Sequence, residues 1–434
     1  MFNSRYLLLL QLIIFVFAAP AFPQVAKPHA TASKTHTELD RLIDQREYPE
    51  LEHRMTQVKL DAADQAYFEG VLANRKNELQ KSISLLEDLP PKLKASSGRR
   101  AAAALRALAD DYVKTFRYAD ADRTYSQLLA DFIAQFPSSE RKSLKDDAQT
   151  VRLLKGSPPQ TIELNGSFTL PTHRSPIGTI ESDLTVNGVT KSWILDTGAN
   201  YSVLTESAAR QMHLNLSEGT AKVQGSAGAE TPLHIAIIPE FKIGPSTVKN
   251  VVALVLPDAS LTIPLPKGKH QIEAILGYPV LSAFGQVTWT SDEHVTFSSG
   301  GQSSGAPIYM QQLDPLLQVR VHDRDLLMMF DTGADHTSFT ARYYDTFQPD
   351  FEGLEKKTHM VGGAGGIKKI SVYELPSVAI AVGDTTITLK NVAVSTEKLG
   401  TDGDLLFGRI GRDLTAEFKS FTFDFKNMRL RLEK

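Results

Sequence analysis

Two aspartates offer the chemistry in this sequence. Asp196 lies in Trp193-Ile194-Leu195-Asp196-Thr197-Gly198-Ala199. Asp331 lies in Met328-Met329-Phe330-Asp331-Thr332-Gly333-Ala334, 135 residues later (331 − 196). Each Asp-Thr-Gly follows an apolar run that reads as a buried strand. Each is followed by an element read as apolar-apolar-Gly, Ile275-Leu276-Gly277 and Arg409-Ile410-Gly411, at 81 and 80 residues (277 − 196, 411 − 331). The same offset takes Val186 to Val321, and Thr205 to Thr340 at the expected N-cap of a helix. Lys249-Asn250-Val251 and Lys390-Asn391-Val392 also correspond. One Asp-Thr-Gly would carry little; two in matching surroundings mark an internal repeat.

A carboxylate at the end of an apolar strand is partly desolvated, and ionising it without a partner is costly. A pseudo-twofold between the copies would set Asp196 and Asp331 side by side. Like charges about 4 Å apart repel by roughly 4 kcal/mol at an effective dielectric of about 20. That separates the two proton losses by roughly 3 pH units. Between acidic and neutral pH the pair then holds one proton, so one member is a base and the other an acid. A water between them can attack an amide carbonyl while the acid protonates the carbonyl oxygen. Gly198 permits close backbone approach, and the Thr197 hydroxyl can bond across to another backbone.

These phrases resemble the retropepsin-type aspartic proteases, with two copies fused in one chain as in the pepsins. Phe330-Asp331-Thr332-Gly333-Ala334-Asp335-His336-Thr337 is especially close to the retropepsin motif. The resemblance covers about residues 160–434. It implies an all-β, bilobal, barrel-like fold with pseudo-twofold symmetry and a cleft between the lobes. It makes Asp196 and Asp331 the catalytic pair of an endopeptidase that needs no covalent intermediate, metal or cofactor. Thr197 and Thr332 would form a hydroxyl network between the lobes, and Gly198 and Gly333 would shape the turns. Asp335 matches a residue that contacts the substrate backbone; the first copy has Asn200 there. Flaps are expected near residues 223–231 and 361–369, both Gly-rich, with Gly225 and Gly362 contacting substrate. Neither carries the flap tyrosine of the pepsins. The second Gly segment continues into Arg412-Asp413, common in this superfamily, and the first into Tyr278-Pro279.

Other elements must hold this repeat in place. At roughly 150 residues per domain, 434 residues predict about three domains. With 47 Lys+Arg against 50 Asp+Glu there is no basic excess for nucleic acid. The absence of cysteine excludes disulfides, thiol catalysis and Cys-ligated metal. Residues 1–24 join Arg5, an apolar run and Ala19-Pro20-Ala21, the pattern of a secretory signal. The expected order is a signal peptide (1–21), a linker (22–35), a helical domain (36–154), lobe 1 (160–300), a connector (301–307) and lobe 2 (308–434). Periplasmic or secreted localisation follows, with no stable membrane insertion once the signal is removed. An uncleaved anchor is the alternative.

In the helical region Tyr67, Gly70, Leu79, Ile83 and Leu86 form one apolar set. Ala109, Tyr112, Ala121, Tyr125 and Leu128 form another, 42 residues on (109 − 67). The spacing resembles tetratricopeptide-type hairpins, whose repeat is about 34 residues, with the excess in a loop over 90–100. An ordinary helical bundle reads equally well.

A peptide or protein substrate is the expected partner, with room for a protein partner on the helical region. Two Asp-Thr-Gly turns in one chain remove the need for a dimer, so a monomer is expected. The alternative function is a catalytically silent peptide-binding or assembly module that keeps the protease fold. His336 reads as a rim residue. The glycines of residues 362–366 lack the Lys-Ser/Thr of a phosphate loop.

Overall fold

The computed structural model describes residues 34–94, 97–224, 230–265, 267–301, 304–363, 366–398 and 402–434. The expected signal segment lies outside these residues. The chain opens with helices α1 (Lys34–Asp44), α2 (Tyr48–Met55), α3 (Ala62–Arg75), α4 (Leu79–Leu86), α5 (Pro90–Lys94), α6 (Gly98–Lys114), α7 (Tyr118–Asp131) and α8 (Ser138–Leu154). Asp61 caps α3, its carboxylate accepting from the N–H groups of Ala63 and Asp64. After α1, α3 and α6 the chain closes in the same way. Arg46, Asn77 and Phe116 take left-handed backbone (φ 54°, 61° and 58°). The next N–H reaches back five residues, from Glu47 to Leu42 O, Glu78 to Ala73 O and Arg117 to Tyr112 O.

The last two turns are 39 residues apart (116 − 77), which corrects the offset of 42. Residues three apart share a helix face, so the apolar stripes match at either offset. The expected loop over 90–100 is also corrected. Pro90–Lys94 is a helical turn, and Ser97 caps α6 by accepting from Arg100 N–H at 3.2 Å. Among the described residues no helix is long and apolar enough to cross a membrane.

Beyond Leu154 the chain is β-rich, and each half of it closes a ring of six strands. In the first half the order is Ser246–Leu256, Ser202–Thr205, Ala274–Leu276, Val189–Leu195, Ile180–Val186 and Glu230–Ile243, the last pairing back to the first. In the second half it is Thr385–Ser395, Ser338–Phe339, Gly408–Ile410, Arg324–Phe330, Asp314–Val321 and Gly366–Val382, again closed. A shared detail marks the common origin of the halves. Asn250 and Asn391 adopt left-handed backbone (φ 59° and 54°), and the registers set them opposite Pro239 and Pro376. A proline cannot donate to the ladder, so both long hairpins give up a bond at the same place.

One sheet draws on both halves. The hairpin strand Gln286–Thr290 pairs with Ser420–Asp424, so Val287 opposes Phe423 and Trp289 opposes Phe421. Trp289 stacks on Phe421 with ring centroids 4.9 Å apart. One core of buried residues runs from Leu184 to Leu430 through both rings and this sheet.

The helices lie against both rings. Tyr309, Leu316, Leu327 and Leu406 join the core of the helical region, with Met329 packed on it. Tyr118 and Leu154 join a cluster with Leu233, Ile235 and Leu254, on which Tyr201 and Val203 pack. Polar contacts fasten the same seams. Tyr48 donates to Gln311 at 2.8 Å, Gln312 to Asp147 at 2.9 Å, Arg324 to Glu47 at 2.9 Å, and Gln149 to Thr220 O at 2.8 Å.

Within the helices Gly70 lets α3 and α4 touch. A Cβ there would stand 2.5 Å from Leu86 Cδ2, and Leu86 is fully buried. Gly70→Ala is therefore expected to destabilise the helical region by about 1–3 kcal/mol, read as a lower urea midpoint of the helical circular-dichroism signal.

Candidate active site

Both Asp-Thr-Gly turns are set by the same local construction. Val189–Leu195 runs parallel to Ala274–Leu276, with Ile194 opposite Ile275. Arg324–Phe330 runs parallel to Gly408–Ile410, with Met329 opposite Arg409. At the strand ends Asp196 N–H donates to Leu276 O at 3.0 Å, and Asp331 N–H to Ile410 O at 3.1 Å. The two Gly elements then pass under the turns: Tyr278 N–H reaches Ala199 O at 2.8 Å and Arg412 N–H reaches Ala334 O at 3.0 Å. Gly277 and Gly411 are required by this approach. A Cβ would stand 2.4 Å from Tyr201 O at the first and 2.5 Å from His336 C at the second. The expected N-caps occur as well, Thr205 accepting from Ala208 N–H and Thr340 from Arg342 N–H.

The turns are bolted to each other by their threonines. The Thr197 hydroxyl donates to Phe330 O at 2.9 Å and accepts from Thr332 N–H at 3.1 Å. The Thr332 hydroxyl donates to Leu195 O at 2.7 Å and accepts from Thr197 N–H at 3.0 Å. Both threonines are buried, so these four bonds are shielded from water. The glycines face the opposite carboxyls. A Cβ on Gly198 would meet Asp331 Cγ at 2.5 Å, and one on Gly333 would meet Asp196 Oδ2 at 2.5 Å.

The carboxyls of Asp196 and Asp331 therefore meet across the junction. Burial, followed by the charge of Asp331, pushes Asp196 well above the usual carboxylate range; a hydrogen bond between the two carboxyls acts in the same direction. The Gly198 N–H and the charge of Arg409 pull it back in part.

The two acids are not equivalent. Asp196 Oδ1 accepts one backbone N–H, from Gly198 at 2.8 Å. Asp331 Oδ1 accepts two, from Gly333 at 2.8 Å and Ala334 at 3.0 Å. Asp331 Oδ2 also faces Arg409 Nη1 at 3.2 Å. Donors favour the ionised form, and Asp331 has more of them than Asp196.

The aspartyl protease family model matches the chain twice, at residues 182–280 and 317–410. Each match contains one Asp-Thr-Gly; the first also spans Gly277, and the second ends one residue before Gly411. No curated protein matches the chain.

The remaining expected site residues fall in different settings. The Asn200 side-chain oxygen is buried and makes no hydrogen bond. Asp335 is two-thirds exposed at its side chain, 3.1 Å from Arg412 Nη2 and 3.0 Å from His336 Nε2. Gly362 lies in the strand Lys357–Gly363, paired with Ile367. Gly225 lies outside the described residues.

Two arginines were missed as site residues. Arg412 is buried, donates to Gly333 O at 2.9 Å and holds Asp335. Arg409 was grouped with an apolar pair, although a charge where the first copy has Ile275 was a visible signal.

Replacing Thr332 or Thr197 by valine would leave one buried carbonyl and one buried N–H unpaired. At about 1–3 kcal/mol for each unsatisfied group, each variant is expected to lose roughly 2–6 kcal/mol. The serine variants, which keep the hydroxyl, should lose far less. Chemical denaturation of the four variants checks this.

Proposed function

We propose that this protein is an aspartic endopeptidase. The observation that carries the proposal is the meeting of Asp196 and Asp331 across turns bolted by Thr197 and Thr332. The double match to the aspartyl protease family supports it. In this reading a water lies between the carboxyls. Asp331, which faces the larger number of donors, takes a proton from the water as the oxygen bonds to the amide carbon. Asp196 gives its proton to the carbonyl oxygen, forming a gem-diol. The proton on Asp331 then passes to the amide nitrogen, the C–N bond breaks, and a gem-diol hydroxyl returns a proton to Asp196. Atoms and protons balance, and the pair again holds one proton.

The retropepsin-like pseudo-twofold relation of the halves belongs to the same proposal, as do the substrate-contacting roles of Asn200, Asp335, Gly225 and Gly362. Export rests on the composition of residues 1–24. The helices, read as tetratricopeptide-like, would orient substrate or receive a partner protein beside the cleft.

Cleavage of an unfolded protein or a peptide library tests the reading. Asp196→Asn and Asp331→Asn should each lower kcat/KM by at least about a hundredfold. Wild-type rates in either variant would refute the mechanism. Tight peptide binding with no turnover would favour the silent binding module instead.

The pH dependence follows from the raised Asp196. An acid lifted above its ordinary range keeps its proton through neutral pH and loses it only on the alkaline side. The rate should trace a bell, falling on the acid side as the pair takes a second proton and on the alkaline side as Asp196 ionises. A profile of kcat/KM in wild-type protein checks both limbs.

A further inference from the structure

We propose that Arg409 is a specificity-determining residue, selecting peptides with an acidic side chain next to the scissile bond on the side of the second barrel. This rests on the endopeptidase reading above. The strand register sets Arg409 beside Met329, on the sheet face that also presents Asp331 two residues further on. Its guanidinium reaches Asp331 Oδ2 at 3.2 Å while the side chain stays 39% exposed. A partly exposed cation thus stands at the acid pair itself.

The matching position of the first barrel is Ile275, which is 8% exposed and apolar. The equivalent positions beside the two acids therefore differ in charge. A guanidinium carries five N–H donors in a planar fork suited to carboxylates. The contact with Asp331 does not use up that fork, and its outer edge can take a second carboxylate.

The charge count points the same way. A bare pair holding one proton carries a net negative charge and would repel an acidic side chain. With Arg409 beside it the cluster is neutral, so an incoming Asp or Glu meets attraction from the nearest group. A Lys or Arg side chain at that position meets the guanidinium first and is repelled. Arg412, the other cation near Asp331, is buried and occupied by Gly333 O and Asp335.

The test uses the full chain and peptides that differ only in Glu, Leu or Lys at the residues flanking the cleaved bond. Wild-type protein should prefer Glu over Lys by roughly ten- to a hundredfold in kcat/KM, the size expected for one charged hydrogen bond. Arg409→Lys should keep the preference, Arg409→Ile should erase it, and Arg409→Glu should reverse it. The ratio is read within each variant, so a general loss of rate does not blur it. An unchanged ratio in Arg409→Ile and Arg409→Glu, with cleavage still dependent on Asp196 and Asp331, overturns the inference alone. Folded Ile and Glu variants with no turnover on any peptide also overturn it, in favour of a role within the acid pair. Cleavage that ignores Asp196 and Asp331 overturns the endopeptidase reading, and the inference falls with it.

Discussion

Two carboxyl groups held against each other repel when both are charged, and the rest of the site answers to that constraint. Left free, they would separate. The hydroxyls of Thr197 and Thr332 prevent this by tying each turn to the strand behind the other. Gly198 and Gly333 clear the space that the opposing carboxyls fill. The repulsion is then relieved in the one remaining way, by a retained proton. Three donors meet Asp331 against one on Asp196, so the two acids are held unequally.

Much of this was legible in the sequence because the repeat is written twice. The Asp-Thr-Gly turns, Gly277 and Gly411, and the capping threonines all sit at fixed offsets, and each serves the same local purpose in both halves. Local signals also located the change from helix to strand near Leu154. Contacts between distant segments were not legible. Nothing in residues 286–290 announces that they pair with 420–424. The helical offset slipped by three because rows three residues apart share a face. Arg409 escaped because its partner, Asp331, is distant in the chain, although its charge broke an otherwise apolar pattern.

The two halves share a strand order and differ in the side chains near the acids. The paired prolines and left-handed asparagines of the long hairpins persist in both copies, since the backbone bends alike in each. Side chains near the acids have drifted further. Ile275 corresponds to Arg409, Asn200 to Asp335, and Tyr278 to Arg412. The frame has stayed nearly even while the chemistry within it has become one-sided.

The seating of the helices carries a consequence for the β-rich part as an independent body. Tyr309, Leu316, Leu327 and Leu406 are buried together with the helical core, and Leu233, Ile235 and Leu254 with Tyr118 and Leu154. Cut away the first third of the polypeptide and two oily scars would open, one on each barrel, beside the residues that flank the acids. Such bare surface invites self-association. The helices are thus part of the wall of the molecule, not cargo attached to a finished β-rich body.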